Sequence, residues 1–272
     1  MMKSRTRTLC LLLAALLVTA LVGGGMDAAA IGGSVDMGDV VQLGDYQGTS
    51  LHIVFYPKTL ETSDQTWPVI VWANGTMCAP ALYTDLLRSL AARGYVVVTN
   101  SDVMSANGKS QIAALDFILA QNADPGSVFY GRIDPGRVAA AGHSQGGRST
   151  VNAAAADSRF RCAISIAGSP FTSEAKKLSA PTLFLTGTAD LVVMSAMWVK
   201  PAYKSCTGPA VYASLKNGIH TSCMLSAGSY ADYCVLWLRA WMDGDGAALN
   251  AFRPGGALAS DRAWKDFTAK NF

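Results

Sequence analysis

Val138-Ala139-Ala140-Ala141-Gly142-His143-Ser144-Gln145-Gly146-Gly147-Arg148 is the stretch that decides how this chain folds. Small and apolar residues run straight into Gly-His-Ser-Gln-Gly, and an Ala-rich run from Val151 to Ala156 follows. That pattern predicts a buried strand, a sharp turn and a helix. A serine at the tip of a strained strand-to-helix turn needs neighbours two residues away that lack a Cβ, and Gly142 and Gly146 meet the need. Ser144 Oγ then stands clear of the chain. The helix that begins just after it aims free backbone N–H groups and a positive dipole end at any negative charge developing on a bound acyl group.

Outward from this turn the chain alternates. Leu51-His52-Ile53-Val54-Phe55-Tyr56 is rich in strand formers and stops at Pro57, after which a polar stretch runs through Thr66. Pro68-Val69-Ile70-Val71-Trp72-Ala73 and Tyr95-Val96-Val97-Val98-Thr99 are continuous apolar runs, the mark of strands buried on both faces of a parallel sheet. Residues 81–93 carry helical spacing at Leu82, Leu86, Leu87 and Leu90, with Gly94 as the stop, and residues 111–120 form the next amphipathic helix. Residues 162–167, 182–186 and 210–215 supply three further strands, and 194–204 and 230–242 two further helices. The expected fold is α/β, a doubly wound and mostly parallel sheet whose ligands gather beyond the carboxyl ends of its strands. Only about 14 residues separate Ala167 from Thr182, which leaves no room for a large lid or cap domain.

The 272 residues, half of them hydrophobic, suffice for one large core. Residues 1–30 read as a signal peptide: Lys3, Arg5 and Arg7 precede an apolar run from Leu9 to Val22, and small residues through Ala30 follow. Residues 31–272 then form a single domain that opens with a Gly-rich, irregular lead-in over 31–50, and the protein is secreted or periplasmic. The apolar run is shorter than the ~20 residues of a membrane span, so no stable membrane anchor is expected. Removing residues 1–30 takes away three basic groups and Asp27 and leaves the chain close to neutral, which argues against nucleic acid as a partner. A monomer is expected.

A serine hydroxyl becomes a nucleophile when an imidazole takes its proton, and the imidazole needs a carboxylate to fix its tautomer. The chain has three histidines. His52 sits in the early strand and reads as structural, and His143 should point to the opposite side of the turn from Ser144. His220 remains, in Lys216-Asn217-Gly218-Ile219-His220, at the carboxyl end of the last expected strand. The carboxylate is Asp190, which closes Thr182-Leu183-Phe184-Leu185-Thr186-Gly187-Thr188-Ala189-Asp190; Asp102, after the Val96–Val98 strand, is the alternative. The chain order Ser144, Asp190, His220 is the one in which such a turn recruits its partners. The backbone amides of Gln145 and of Thr76, in Asn74-Gly75-Thr76-Met77, are the expected oxyanion donors. Met77, Tyr83, Phe171 and Trp198 are candidate apolar walls for a substrate.

Beyond residue 30 stand Cys78, Cys162, Cys206, Cys223 and Cys234. Cys162 lies inside the apolar run Cys162-Ala163-Ile164-Ser165-Ile166 and reads as core. The other four admit three pairings, among which the sequence does not choose. Cys78–Cys223 with Cys206–Cys234 is the favoured set, since Cys78 follows Thr76 closely and Cys223 follows His220, putting both at the rim of the site. No Cys-x-x-Cys or paired-His spacing supports a zinc site, and neither a metal nor an organic cofactor is implied.

Residues 68–101, 142–147, 181–190 and 217–223 together resemble the exported cutinase-like branch of the α/β-hydrolases, which includes bacterial polyester (polyethylene terephthalate) hydrolases and related lipases. Where that branch usually has an aromatic residue after the glycine of the oxyanion loop, this chain has Thr76; where it often has Pro-Trp, this chain has Pro170-Phe171. The resemblance implies a serine carboxylesterase that forms an acyl-enzyme on Ser144 and acts on an ester substrate, bulky or polymeric. Alternatives on the same residues are an acyltransferase and a non-catalytic binding module.

Overall fold

The computed structural model describes residues 38–44, 51–225 and 227–272, all within the compact unit Ile31–Phe272. The signal expected over 1–30 lies outside the described residues.

One nine-stranded sheet organises these residues, in the order β1-β2-β4-β3-β5-β6-β7-β8-β9. Its strands are β1 (Val40–Leu43), β2 (His52–Pro57), β3 (Trp67–Ala73), β4 (Val96–Asn100), β5 (Ile133–His143), β6 (Phe160–Ile166), β7 (Thr182–Gly187), β8 (Ala210–Leu215) and β9 (Trp264–Lys270). The central strands from β4 through β8 pair in parallel, whereas β1, β2 and β9 pair antiparallel at the edges. This is the α/β-hydrolase arrangement, and no separate cap domain covers it among the described residues.

Side chains alternate across each strand, so the apolar runs feed two cores. Ile70, Trp72, Ala139, Ala141, Leu183 and Val211 face the helices α1 (Thr84–Ala91) and α5 (Ala227–Met242). Val69, Val71, Val138, Ala140, Phe184 and Tyr212 face α2 (Lys109–Ala123), α3 (Gln145–Ala156) and α4 (Val199–Ser205). Each fully buried Leu, Ile or Val on these faces contributes roughly 1.5–3 kcal/mol.

Four details differ from the sequence expectation. The lead-in contains a strand, β1, held to β2. The helix expected over 81–93 splits into a 3-10 turn, Pro80–Tyr83, and α1, because Pro80 starts the turn. The helix expected over 194–204 begins only at Val199, the Met197 and Trp198 amides closing a turn on the Met194 carbonyl before it. The last strand, β9, had no counterpart in the sequence reading.

After β3 the chain runs to β4 on one side, and after β4 it crosses to β5 on the other. The carboxyl ends of β3 and β5 therefore flank the point where strand order reverses, where an open α/β sheet leaves a crevice.

Candidate active site

Ser144 stands at the carboxyl end of β5 and caps α3 with φ 57° and ψ −121°, a conformation costly for a residue with a side chain. Close packing holds it there. A Cβ on Gly142 would strike the Gly146 carbonyl, and one on Gly146 the Ala73 carbonyl of β3. The Ser144 amide donates to Ile166 of β6 at 2.9 Å.

His220 arrives on the loop after β8, and Asp190 on the loop after β7. His220 Nδ1 lies 2.8 Å from Asp190 Oδ2, and its Nε2 lies 2.9 Å from Ser144 Oγ. A carboxylate accepts only, so Nδ1 carries the proton, Nε2 presents its lone pair, and Ser144 Oγ–H donates to it. Asp190 is buried at 5% exposure, and its other oxygen accepts from the amides of Val192 at 2.9 Å and Val193 at 2.8 Å. Three donors thus fix this carboxylate in orientation. Asp102, the alternative acid, is bound instead to the Met104 amide at 2.7 Å, a local loop contact.

The loop after β3 is pinned from below. Asn74, fully buried, donates from Nδ2 to Asn100 O at 2.7 Å. The Gly75 amide donates to Tyr83 Oη at 3.0 Å and the Met77 amide to Val103 O at 3.0 Å. The Thr76 amide between them takes part in no such bond among the described residues, nor does the Gln145 amide at the head of α3. Two free donors beside a hydroxyl whose proton has an acceptor form a setting for acyl transfer.

The expected walls divide. Met77 and Phe171 are exposed, at 67% and 46%. The Arg148 guanidinium lies 4.1 Å from the Phe171 ring centroid and pairs with Glu174, while the half-buried Trp198 ring lies tilted 6.1 Å from that of Phe171. Tyr83 is not a wall: it is fully buried beneath the site, against Trp72.

The favoured disulfides are not formed, and all five thiols of the described residues are free. Cys206 packs on the α2–α4 face and Cys234 on the α1–α5 face, so the sheet itself separates that pair. Cys78 and Cys223 share a face, but each thiol stays free and that of Cys78 turns to the Tyr83 hydroxyl instead. No group of three or more His, Cys, Asp or Glu able to hold a metal occurs among the described residues.

Sequence reading also missed two buried supports. Gln111 Nε2 donates to Val71 O at 2.7 Å and Ala141 O at 3.0 Å, clamping β3 to β5 just below the site. His143 turns under the site, with its ring 4.7 Å from that of His220 and its Nε2 2.8 Å from the His220 carbonyl. A polar residue at an apolar helical position hints at the first, and the His beside the motif serine was the only hint of the second.

Comparison with characterised proteins gives a consistent picture. The chain is 30% identical to a bis(hydroxyethyl) terephthalate hydrolase of Streptomyces coelicolor over 71% of its own length and 62% of that protein's. It is 26% identical to Cutinase est2 of Thermobifida alba over 71% of this chain and 64% of the other, and 24% identical to Cutinase 2 of Thermobifida cellulosilytica over 71% and 73%. It therefore spans just under two thirds of the length of the first two of these relatives. The sequence profile of the family described as PET hydrolase-like matches residues 26–267, and with the sheet, the strained Ser144 and the residues that meet there already in view, the chain belongs to that family.

Proposed function

We propose that this protein is an exported serine carboxylesterase that cleaves esters through an acyl-enzyme on Ser144. The observation that carries the reading is the unbroken line from Asp190 through His220 to Ser144, with both links under 3 Å and a single possible direction for each proton.

In the mechanism this supports, Ser144 Oγ attacks the ester carbonyl carbon as His220 Nε2 takes its proton. Asp190 stabilises the imidazolium, and the Thr76 and Gln145 amides hold the negative oxygen of the tetrahedral intermediate. Collapse expels the alcohol, which leaves with the proton from Nε2. Water then attacks the acyl-enzyme, passes its proton to Nε2, and the acid is released as Ser144 recovers its own.

Bulky esters are the proposed substrates. The rim carries exposed Met77, Met104, Phe171, Leu191, Val192 and Met197, no cap domain is present among the described residues, and relatives are named for a terephthalate ester and for cutin. Export rests on the basic, apolar and small-residue succession over 1–30. The decisive experiment is hydrolysis of a short-chain p-nitrophenyl ester and of bis(hydroxyethyl) terephthalate by the wild type and Ser144→Ala. The substitution should lower kcat by about 10⁴-fold or more, and a wild-type rate in the variant would overturn the assignment.

A further inference from the structure

We propose that Tyr83 and His143 form a hydrogen-bonded relay that positions the reacting groups, tying the oxyanion loop to the backbone of the catalytic histidine underneath Ser144. This rests on the esterase reading, and it concerns two side chains that the mechanism above does not use.

The directions of the bonds are fixed by chemistry. His143 is 1% exposed, and its Nε2 lies 2.8 Å from the His220 carbonyl oxygen, which can only accept, so Nε2 bears the proton. A neutral imidazole has one N–H, so Nδ1 offers a lone pair. Its partner, 3.0 Å away, is Tyr83 Oη, which must donate. The same phenol oxygen accepts the Gly75 amide at 3.0 Å. The relay therefore runs from the Gly75 N–H to Tyr83, from the Tyr83 O–H to His143, and from the His143 Nε2–H to His220. The Cys78 thiol also touches the Tyr83 oxygen but adds only a weak donor. Burial, seconded by the nearby His220, pushes the His143 pKa down to about 3, which keeps the acceptor nitrogen free.

Each end of the relay is one step from a reacting group. Gly75 precedes Thr76, whose amide is a proposed oxyanion donor; His143 precedes Ser144; and the carbonyl held is that of His220 itself. The contact is tight enough to exclude a side chain at Gly75, where a Cβ would lie 2.9 Å from Tyr83 Oη and 3.3 Å from both His143 Nδ1 and Ser144 Cβ. A packing role alone would need only the Tyr83 ring, which sits 5.1 Å from Trp72. The hydroxyl is what the relay requires.

Tyr83→Phe keeps the ring and removes the hydroxyl. With a soluble p-nitrophenyl ester, kcat should fall about 10- to 100-fold while KM stays within about twofold, because a misplacement of the order of 1 Å costs that much without touching substrate binding. His143→Gln, which offers an acceptor and a donor at similar reach, should keep kcat within about fivefold of wild type, whereas His143→Leu should lose as much as Tyr83→Phe, and the double variant Tyr83→Phe/His143→Leu no more than either single variant. Where His143→Leu does not fold, the Phe and Gln variants carry the test. A Tyr83→Phe enzyme with kcat within about twofold of wild type, a loss confined to KM, or a His143→Gln enzyme as impaired as His143→Leu would overturn the relay. Amide hydrogen exchange reads it without activity: the Gly75 amide should exchange at least about tenfold faster in Tyr83→Phe, and unchanged exchange overturns the proposal. A wild type that cleaves no ester refutes the esterase reading, and the exchange result then stands on its own.

Discussion

Asn74, Gln111, His143 and Asp190, all buried beneath Ser144, each hold loop or strand backbone through hydrogen bonds of 2.7–3.0 Å. On the loops that follow β3, β4 and β7, Met77, Met104, Leu191 and Met197 stand 58–84% exposed, with apolar side chains that make no such bonds. On the esterase reading proposed above, the contrast divides the two tasks of the site. Proton transfer needs atoms fixed to fractions of an ångström, which buried polar bonds supply, whereas gripping an apolar ester needs area, which loose side chains supply. Changes to the floor should therefore cost rate or stability, and changes to the rim should cost only affinity.

The largest effect tests the floor where it meets the chemistry. Asp190→Asn keeps the shape of the turn but loses the charge that orients His220, and kcat should fall by about 10²- to 10⁴-fold with a thermal midpoint near that of the wild type. A fall of less than tenfold would shift the orienting role to another group. Next comes Asn74→Leu, which strips the partner from the buried Asn100 carbonyl and should cost about 2–3 kcal/mol in urea melts, with activity lost as the Thr76 loop loosens.

Smaller still is a dependence on pH. His143 has a folded pKa lowered from 6.5 to about 3, so between those values the unfolded chain binds a proton that the folded chain refuses. Its contribution is complete above pH 6.5 and is lost as pH falls. Between pH 6.5 and 5 the loss should be about 2 kcal/mol, and His143→Gln should flatten that part of the stability curve. An unchanged slope in the variant would place the acid sensitivity elsewhere. The smallest effect belongs to the rim: Leu191→Ser should leave stability within about 0.5 kcal/mol and kcat unchanged, while KM for a long-chain ester rises a few-fold. A loss of kcat there would erase the division between floor and rim.

Much of this architecture was legible because burial on two faces writes continuous apolar runs. Val69–Trp72, Val96–Val98 and Leu183–Leu185 announce their strands without help from distant residues. The meeting of Ser144, Asp190 and His220 was legible because each follows such a run, and the parallel order brings all the carboxyl ends to one edge. β9 was not, since Trp-Lys-Asp-Phe-Thr-Ala-Lys is an edge strand that β8 recruits by backbone pairing, with most of its side chains in or near solvent. The Tyr83–His143 and His143–His220 bonds join residues 60 and 77 positions apart, and no local pattern encodes such meetings. The Cys206–Cys234 pairing failed for a related reason: a count of thiols does not say which side of a sheet each one takes.

The turn after β7 has one more implication. Asp190 is oriented by the amides of Val192 and Val193, and those backbone donors persist whatever side chain the two positions carry, proline excepted. Leu191, between acid and amides, points outward at 84% exposure. Selection, natural or in the laboratory, can thus exchange the residue next door to the acid freely. On the esterase reading proposed above, preference for a new ester can drift there while the acid keeps its aim.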